Sequence, residues 1–477
     1  MPSGNGLPNP INADYLVIGA GATGMAFTDG LIADSDATVV LADRRHAPGG
    51  HWNDAYPFVR LHQPSAFYGV NSLPLGHDRI DESGLNAGFY EQASGPETCD
   101  YFRRALDHLL ASGQVTWRGS HEYVGTDSNG NRLTSRVTGQ ETVVRVRKVV
   151  DASYLNTEVP ARHQPDFEVD PGARVVTPNE LVELADPADR FTILGGGKTA
   201  MDVCTWLLFQ SVAPEDIRWV RPRDAWTLDR AFAQPLDLVA GMVQGLADAY
   251  QAAAEASDLE DLYARAEACG QIHRLDPEVE PDMFHGATLS AAEREQLRRI
   301  TRVVRKGRVR RVGADTLVLD EGTVPTARGE LHIDCTAHGL GWAPPRPIFE
   351  GERIIPQPTR VGMLPFSAAM IGFLEASGRE DEEKNRLTRP NPDPRTRNRL
   401  DWAWSTYIGA ANEAAWGAEE DIQAWLQRSR VNIGRAVRDH LDDERMQAAV
   451  AGVVTHMSGA IANLGRLLQD RQMANGR

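Results

Sequence analysis

The sequence predicts an α/β protein: two βαβ units, each opened by a glycine-rich turn, with a helical insertion and a helical C-terminal region. Three observations carry this. The pattern strand, glycine-rich turn, helix, strand runs through residues 14–45 ("DYLVIGAGATGMAFTDGLIADSDATVVLADRR") and opens again at 190–210 ("RFTILGGGKTAMDVCTWLLFQ"), followed by "DIRWV". From about residue 235 to 300 the composition turns to Ala, Glu, Leu and Gln, which is helical. Beyond a charged, proline-rich stretch at 379–398 the chain again reads as helix to its end.

The elements follow in order. Residues 1–12 show no periodicity and read as a disordered lead. In the first unit, Gly19-x-Gly21-x-x-Gly24 comes straight after the apolar run "YLVIGA", and Asp43 ends the next strand, "VVLAD". A GxGxxG alone is weak evidence. Here a strand precedes it, a helix follows, and an acid stands in the ribose position, which is the context of a Rossmann-type dinucleotide-binding fold. Pyrophosphate would meet the helix N-terminus, and Asp43 would accept from the ribose hydroxyls. The bland alternative is a strand–helix turn with no ligand.

Next comes "GGHWNDAYPFVRLHQPSAFYGV" (49–70), aromatic and without helical or strand period. A long loop with its own packing is often functional. Residues 72–98 are loop-like. "TCDYFRRALDHLLASG" is an amphipathic helix, with Thr98 as its cap and Gly113 as its stop. Residues 115–153 alternate as a meander, turning at Asn129–Gly130.

The second unit repeats the first, with Gly195, Gly197 and Ala200 in the key places and Lys198 and Thr199 within the turn. Its next strand ends in Arg221-Pro222-Arg223 rather than in an acid. Arginine there accommodates the 2′-phosphate of NADP, although both could be solvated surface charges. Two such units suggest one tightly held dinucleotide and one exchanging reductant, the logic of FAD with NADPH. "TLVLDEGTV" and "ELHIDCTAHGLGW" return to strands.

Bulk composition narrows the function. The chain has 477 residues, 42% hydrophobic and 24% charged, enough for two to three domains. Its net charge of −16, from 50 basic and 66 acidic residues, argues against nucleic acid or an anionic membrane surface as partner. The four cysteines lie far apart, so there is no CxxC pair for disulfide exchange and no zinc spacing. The histidines form no HxxxH or HxH pattern, and no metal is expected. The N-terminus lacks the regions of a signal peptide and no run of 18 apolar residues occurs, so no membrane span and a cytoplasmic location are expected.

"GGHW" followed by "YPFVRLHQPSAFY" resembles the "GGTW…YPGxRxDxxSxxY" block of class B flavin monooxygenases, the Baeyer–Villiger and flavin-containing monooxygenase type. "VVDASYLNTEVP" (149–160) and "IDCTAHGL" (333–340) are similar to the family's two segments that leave the FAD domain, and "VRPRDAW" loosely matches its "QRSPxW". The resemblance spans roughly residues 14–340. It implies FAD at Gly19, Gly21, Gly24, Asp43, Gly50 and Trp52, NADPH at Gly195, Gly197, Lys198, Thr199, Ala200, Arg221 and Arg223, and a cofactor contact at Asp334. It implies an FAD-binding domain over 12–165 and 320–378, an NAD(P)-binding domain over 166–319 with its helical insertion at 226–300, and a helical region over 379–477.

It also implies that NADPH reduces FAD and that a C4a-(hydro)peroxyflavin formed with molecular oxygen oxygenates a small organic substrate. Loop 49–70 should fold over the flavin, with His62 or Gln63 at its reactive edge. His62 stands where the family keeps an aspartate. A histidine titrating near neutral pH could donate a proton and favour the electrophilic hydroperoxide, and so heteroatom or electron-rich carbon oxygenation over ketone insertion. Alternatively, His62 only shapes the turn. Two departures matter: the family's Phe-x-Gly-x-x-x-His linker fingerprint is missing, and 226–300 does not align. An NAD(P)H-dependent flavin oxidoreductase or oxidase without oxygen transfer is therefore the alternative, and a redox-sensing nucleotide-binding module without turnover the third. The helical regions read as lid or scaffold, or as surfaces for a homodimer. Trp402, Trp404, Tyr407, Trp416 and Trp425 read as core or as pocket lining.

Overall fold

The computed structural model describes residues 10–475 except 340, 342, 361 and 392–399. The fold is mixed α/β, and two parallel sheets dominate it. In the first, strands Val115–Arg118, Val39–Ala42, Tyr15–Ile18, Lys148–Asp151 and Arg353–Ile354 lie side by side in parallel, with Phe349–Glu350 antiparallel at the edge. In the second, Arg174–Val176, Leu331–Asp334, Phe191–Leu194, Ile217–Val220 and Arg302–Val304 are all parallel. The central strands of both are buried and mostly apolar, as strands covered on both faces are, with Thr192 and Arg218 the polar residues among them.

Pairing corrects the expected return to the first unit. Leu331–Asp334 pairs with Phe191–Leu194, and Val309–Val312, Thr316–Leu319 and Gly322–Pro325 form a small sheet with Glu168–Val169. The chain therefore rejoins the first sheet only at Phe349, not at 320. Sequence order could not reveal this, because the deciding hydrogen bonds join residues more than 130 positions apart.

Smaller differences have local causes. Residues 1–9 of the expected lead lie outside the described residues, whereas Ile11–Asn12 is a strand paired with Val144–Arg145. The helix expected from Thr98 begins at Gly95, because Ser94 and Glu97 form a capping box. The hairpin turns at Ser128–Asn129, one residue early, since Asp127 pairs with Gly130.

The insertion holds the expected helices, Val239–Glu255, Leu259–Ala268 and Ala291–Arg298. It also holds an unexpected sheet of Ile272–His273, Ala225–Asp229 and Met283–Leu289. Helix Val239–Glu255 packs along the long C-terminal helix Glu444–Asn475, so insertion and C-terminal region form one helical layer. Among the described residues that C-terminal helix is the one long and apolar enough to cross a membrane, with mean hydropathy 1.2 in an 18-residue window within Glu444–Asp470. The rule of 18 consecutive apolar residues passes over it, because polar residues punctuate its apolar stretches.

Trp402, Trp416 and Trp425 are buried. Helix Leu364–Ala376 crosses Ala22–Ala33 where Gly30 and Gly372 meet. A Cβ on Gly30 would lie 2.4 Å from the Ala369 carbonyl oxygen, and one on Gly372 2.4 Å from that of Phe27. Helix Leu364–Ala376 thus braces the helix behind the first glycine turn.

Candidate functional site

Both glycine turns end in helices with bare N-termini. Gly21 caps Ala22–Ala33 and Gly197 caps Lys198–Phe209. Neither has a side-chain cap or an acid in its first turn. Ser94 with Glu97, Thr177 with Glu180 and Ser290 with Glu293 cap other helices as capping boxes, whereas Val239–Glu255 and Leu364–Ala376 are as bare as the two glycine helices. Four amide N–H groups open each helix, and the macrodipole leaves that end positive. Uncapped in this way, they suit a pyrophosphate.

The first turn is built by backbone contact. A Cβ on Gly24 would lie 1.8 Å from the Gly19 carbonyl oxygen, so only glycine lets the helix sit on the turn. Gly50 comes so close to Gly21 that a Cβ on it would be 3.0 Å from the Gly21 Cα. The start of loop 49–70 therefore lies directly against the first turn. Asp43 is buried. One carboxylate oxygen accepts from the Ala20 N–H at 2.7 Å and the other from the Arg45 N–H at 2.7 Å, which fixes its orientation at the strand end.

These residues fit FAD as a site: a cradle that a single Cβ would fill, a bare helix N-terminus and an oriented acid. The second turn fits a dinucleotide on the same grounds, with Lys198 as the first helical residue.

Loop 49–70 spans the two units. Trp52 is buried and donates to the Tyr68 hydroxyl at 2.8 Å. Tyr56 donates to Asp202 Oδ2 at 2.7 Å, on the second glycine helix, and also meets Thr199. Phe58 stacks on Trp206 of that helix with centroids 5.0 Å apart. The insertion reaches the loop through Arg230, whose Nε donates to the His62 carbonyl at 3.2 Å. The C-terminal region reaches it through buried Arg430, which donates to the carbonyls of Ala66, Tyr68 and Val70. All four parts of the chain therefore converge on this loop.

The predicted residues separate on this geometry. Gly19, Gly21, Gly24, Asp43, Gly50 and Trp52 gather at the first turn. Gly195, Gly197, Lys198, Thr199 and Ala200 gather at the second, and His62 faces Lys198 from across the junction. Gln63 donates to the Gly362 carbonyl at 3.4 Å.

The structure places the remaining predicted residues as well. Asp334 lies in the second sheet beside Leu194, at the strand end next to Gly195, where one of its carboxylate oxygens accepts from the Thr336 N–H and hydroxyl. Arg221 is buried, stacks on Trp219 at 4.9 Å and pairs with Asp224 at 3.0 Å, with its stem beside Gly196 of the second turn. Arg223 is the more exposed of the two, paired with Asp282 at 3.0 Å, and its carbonyl lies against Gly196. Finally, His62 does not titrate near neutrality. Burial, then the nearby Lys198 and Arg230 cations, push its pKa down to about 3. His51 is held to about 4, by burial and then by Arg45. Both are neutral imidazoles at physiological pH.

Arg230, Glu293, Arg430 and the role of the Tyr56 hydroxyl were not foreseen. Ser290-x-x-Glu293 was legible as a capping box. The arginines left only the weak signal of a lone cation among apolar residues, in "TLDRAFAQP" and "SRVNIG".

No protein-family model matches the chain. An uncharacterized protein of Mycobacterium tuberculosis is 44% identical over 429 residues, covering 89% of this chain and 78% of its own length, and a Mycobacterium bovis protein matches equally. Among solved structures, the open form of cyclohexanone monooxygenase superposes with a TM-score of 0.51 at 15% identity, covering 86% of this chain and 98% of that one. A cyclohexanone monooxygenase mutant from Rhodococcus sp. Phi1 bound to NADP+ superposes with a TM-score of 0.50 at 15% identity, with the same coverage. At this identity the likeness is one of fold.

Proposed function

The chain belongs to the family of these mycobacterial proteins and has the fold of the class B flavin monooxygenases; from that premise we propose that it is an FAD-dependent, NADPH-consuming monooxygenase acting on a small organic substrate. The observation that carries the reading is loop 49–70, which lies against the first glycine turn through Gly50 and grips the second glycine helix through Tyr56 and Phe58. A chain that only stored two nucleotides would not need one loop to touch both sites.

Bound FAD would accept hydride from NADPH and activate oxygen. The protein's own part is to hold and orient. Gly19, Gly21, Gly24 and Gly50 give backbone close approach, and Asp43 takes the ribose hydroxyls. Lys198 and the amides after Gly197 hold the second pyrophosphate. Arg223, rather than the buried Arg221, is the 2′-phosphate partner, and it exchanges Asp282 for the phosphate. Trp52, Tyr56 and Tyr68 are buried and keep water from the junction. His62 is neutral and offers one ring N–H as a hydrogen-bond donor, so it steadies charge at the junction without releasing a proton.

The test begins with the spectrum of the purified protein, where oxidised-flavin bands lost on acid precipitation are expected. NADPH consumption is then followed together with oxygen uptake over a panel of sulfides, amines and ketones. One oxygen in the product per NADPH supports the proposal. Turnover that yields only hydrogen peroxide with every compound supports an oxidase without oxygen transfer. A colourless protein that FAD cannot reconstitute refutes flavin chemistry altogether. Arg223→Ala should lower the preference for NADPH over NADH about tenfold or more, from the loss of a charge-assisted contact.

A further inference from the structure

The insertion joins the second glycine helix to loop 49–70 through a single carboxylate. Glu293 Oε1 lies 3.6 Å from Lys198 Nζ, and Oε2 lies 2.6 Å from Arg230 Nη2. Lys198 also pairs with Asp202, which accepts from Tyr56. Arg230 is almost wholly buried. Besides the His62 carbonyl it donates to Asn86 Oδ1 and the Thr288 carbonyl, both at 3.3 Å. An unbroken chain of polar contacts thus runs from the N-terminus of the second glycine helix, through Lys198, Glu293 and Arg230, to the backbone of the flavin loop.

We propose that Glu293 is the positioning residue that couples dinucleotide binding at the second glycine turn to the setting of the flavin loop at His62. The proposal rests on the two-cofactor reading above. Lys198 has competing partners: Asp202 and Glu293 on one side, and a pyrophosphate at its own helix N-terminus on the other. If Lys198 turns to the phosphate, Glu293 keeps Arg230 as its only cation in the chain of contacts. Arg230 is then drawn toward Glu293, and its bond to the His62 carbonyl slackens. This route needs no contact between the insertion and either cofactor.

Glu293→Gln isolates the charge. Glutamine keeps the shape and can still accept from the Ser290 N–H, so the capping box of Ala291–Arg298 survives. Holoenzyme is titrated with NADP+, which binds without reducing flavin, and the flavin difference spectrum is recorded. The native protein should show a saturable perturbation of the flavin bands. Glu293→Gln should bind NADP+ about fivefold or more tightly, because Lys198 has one carboxylate fewer to leave, and should lose the perturbation. Glu293→Asp should restore part of the perturbation. Arg230→Lys, which keeps the cation but gives up the fork, should lose the perturbation with less than a twofold change in affinity.

A native perturbation in Glu293→Gln, or unchanged or weaker affinity, overturns the proposal. So does a native holoenzyme that binds NADP+ with no flavin response. If the native protein binds no FAD or no NADP+, the functional reading itself has failed, and the coupling with it. That outcome is visible before any variant is made.

Discussion

Arg430 ties the C-terminal region to loop 49–70, and its removal can be followed amide by amide. Its guanidinium donates from Nε to Val70 at 3.1 Å, from Nη1 to Ala66 at 2.9 Å, and from Nη2 to Tyr68 at 2.6 Å and Val70 at 2.5 Å. Arg430→Met keeps most of the apolar stem and strands three buried carbonyls. At about 1–3 kcal/mol for each unsatisfied group, the gross loss is about 3–9 kcal/mol. Relief of the guanidinium's own desolvation returns a few kcal/mol, leaving about 3 kcal/mol of local destabilisation. Such a change speeds exchange through local opening about a hundredfold.

The assay is native-state hydrogen exchange at the amides of Tyr68 and Val70, which are held by the Ser65 carbonyl and the Tyr101 hydroxyl. Amides of the first sheet serve as the internal control. Arg430→Lys, with three donors on a single point, should fall between native and Met. Native exchange rates at both amides in Arg430→Met would refute the argument that this side chain holds the loop.

Other consequences follow from the same geometry. His51 and His62 have folded pKa values of about 4 and about 3, below the ordinary histidine value near 6.5, so the unfolded chain binds more protons between those limits. Stability should therefore be fully present above pH about 6.5 and fall on acidification, by up to about 1.4 kcal/mol per pH unit for each histidine; urea titrations from pH 7 to 5 on His51→Asn and His62→Asn should show a flatter slope. Tyr56→Phe should cost about 1–2 kcal/mol in the urea midpoint by freeing Asp202 Oδ2, and the double variant with Asp202→Asn should cost less than the sum of the singles. Gly30→Ala should be poorly folded, since its methyl would stand 2.4 Å from the Ala369 carbonyl oxygen; thermal unfolding should show this, while Gly409→Ala, in a helix with open space and no positive φ, should lose no stability.

Local signals in the sequence determined a good deal. The strand–glycine–helix pattern at 14–45 and 190–210 fixed both turns, because steric demands at a tight turn act over a few residues and leave glycines at fixed offsets. The acid at the end of the first second strand and the arginines at the end of the other were legible for the same reason. So was the oddity of loop 49–70, whose aromatic content has no secondary-structure period to explain it.

Only the tertiary structure decided what that loop touches. The partners of Tyr56, His62 and Tyr68 are Asp202, Arg230 and Arg430, separated from them by 146, 168 and 362 positions. Nothing in a local window marks such pairs. Burial likewise settled which of two neighbouring arginines faces inward, and it set the protonation of His62, since the desolvation and cations that lower its pKa come from distant segments. The strand Leu331–Asp334 shows the same limit. Its apolar run announced a strand, but only hydrogen-bond pairing could assign it to the second sheet rather than the first. Residue types write local conformation into a sequence, whereas register, burial and charge environment arise when remote segments meet.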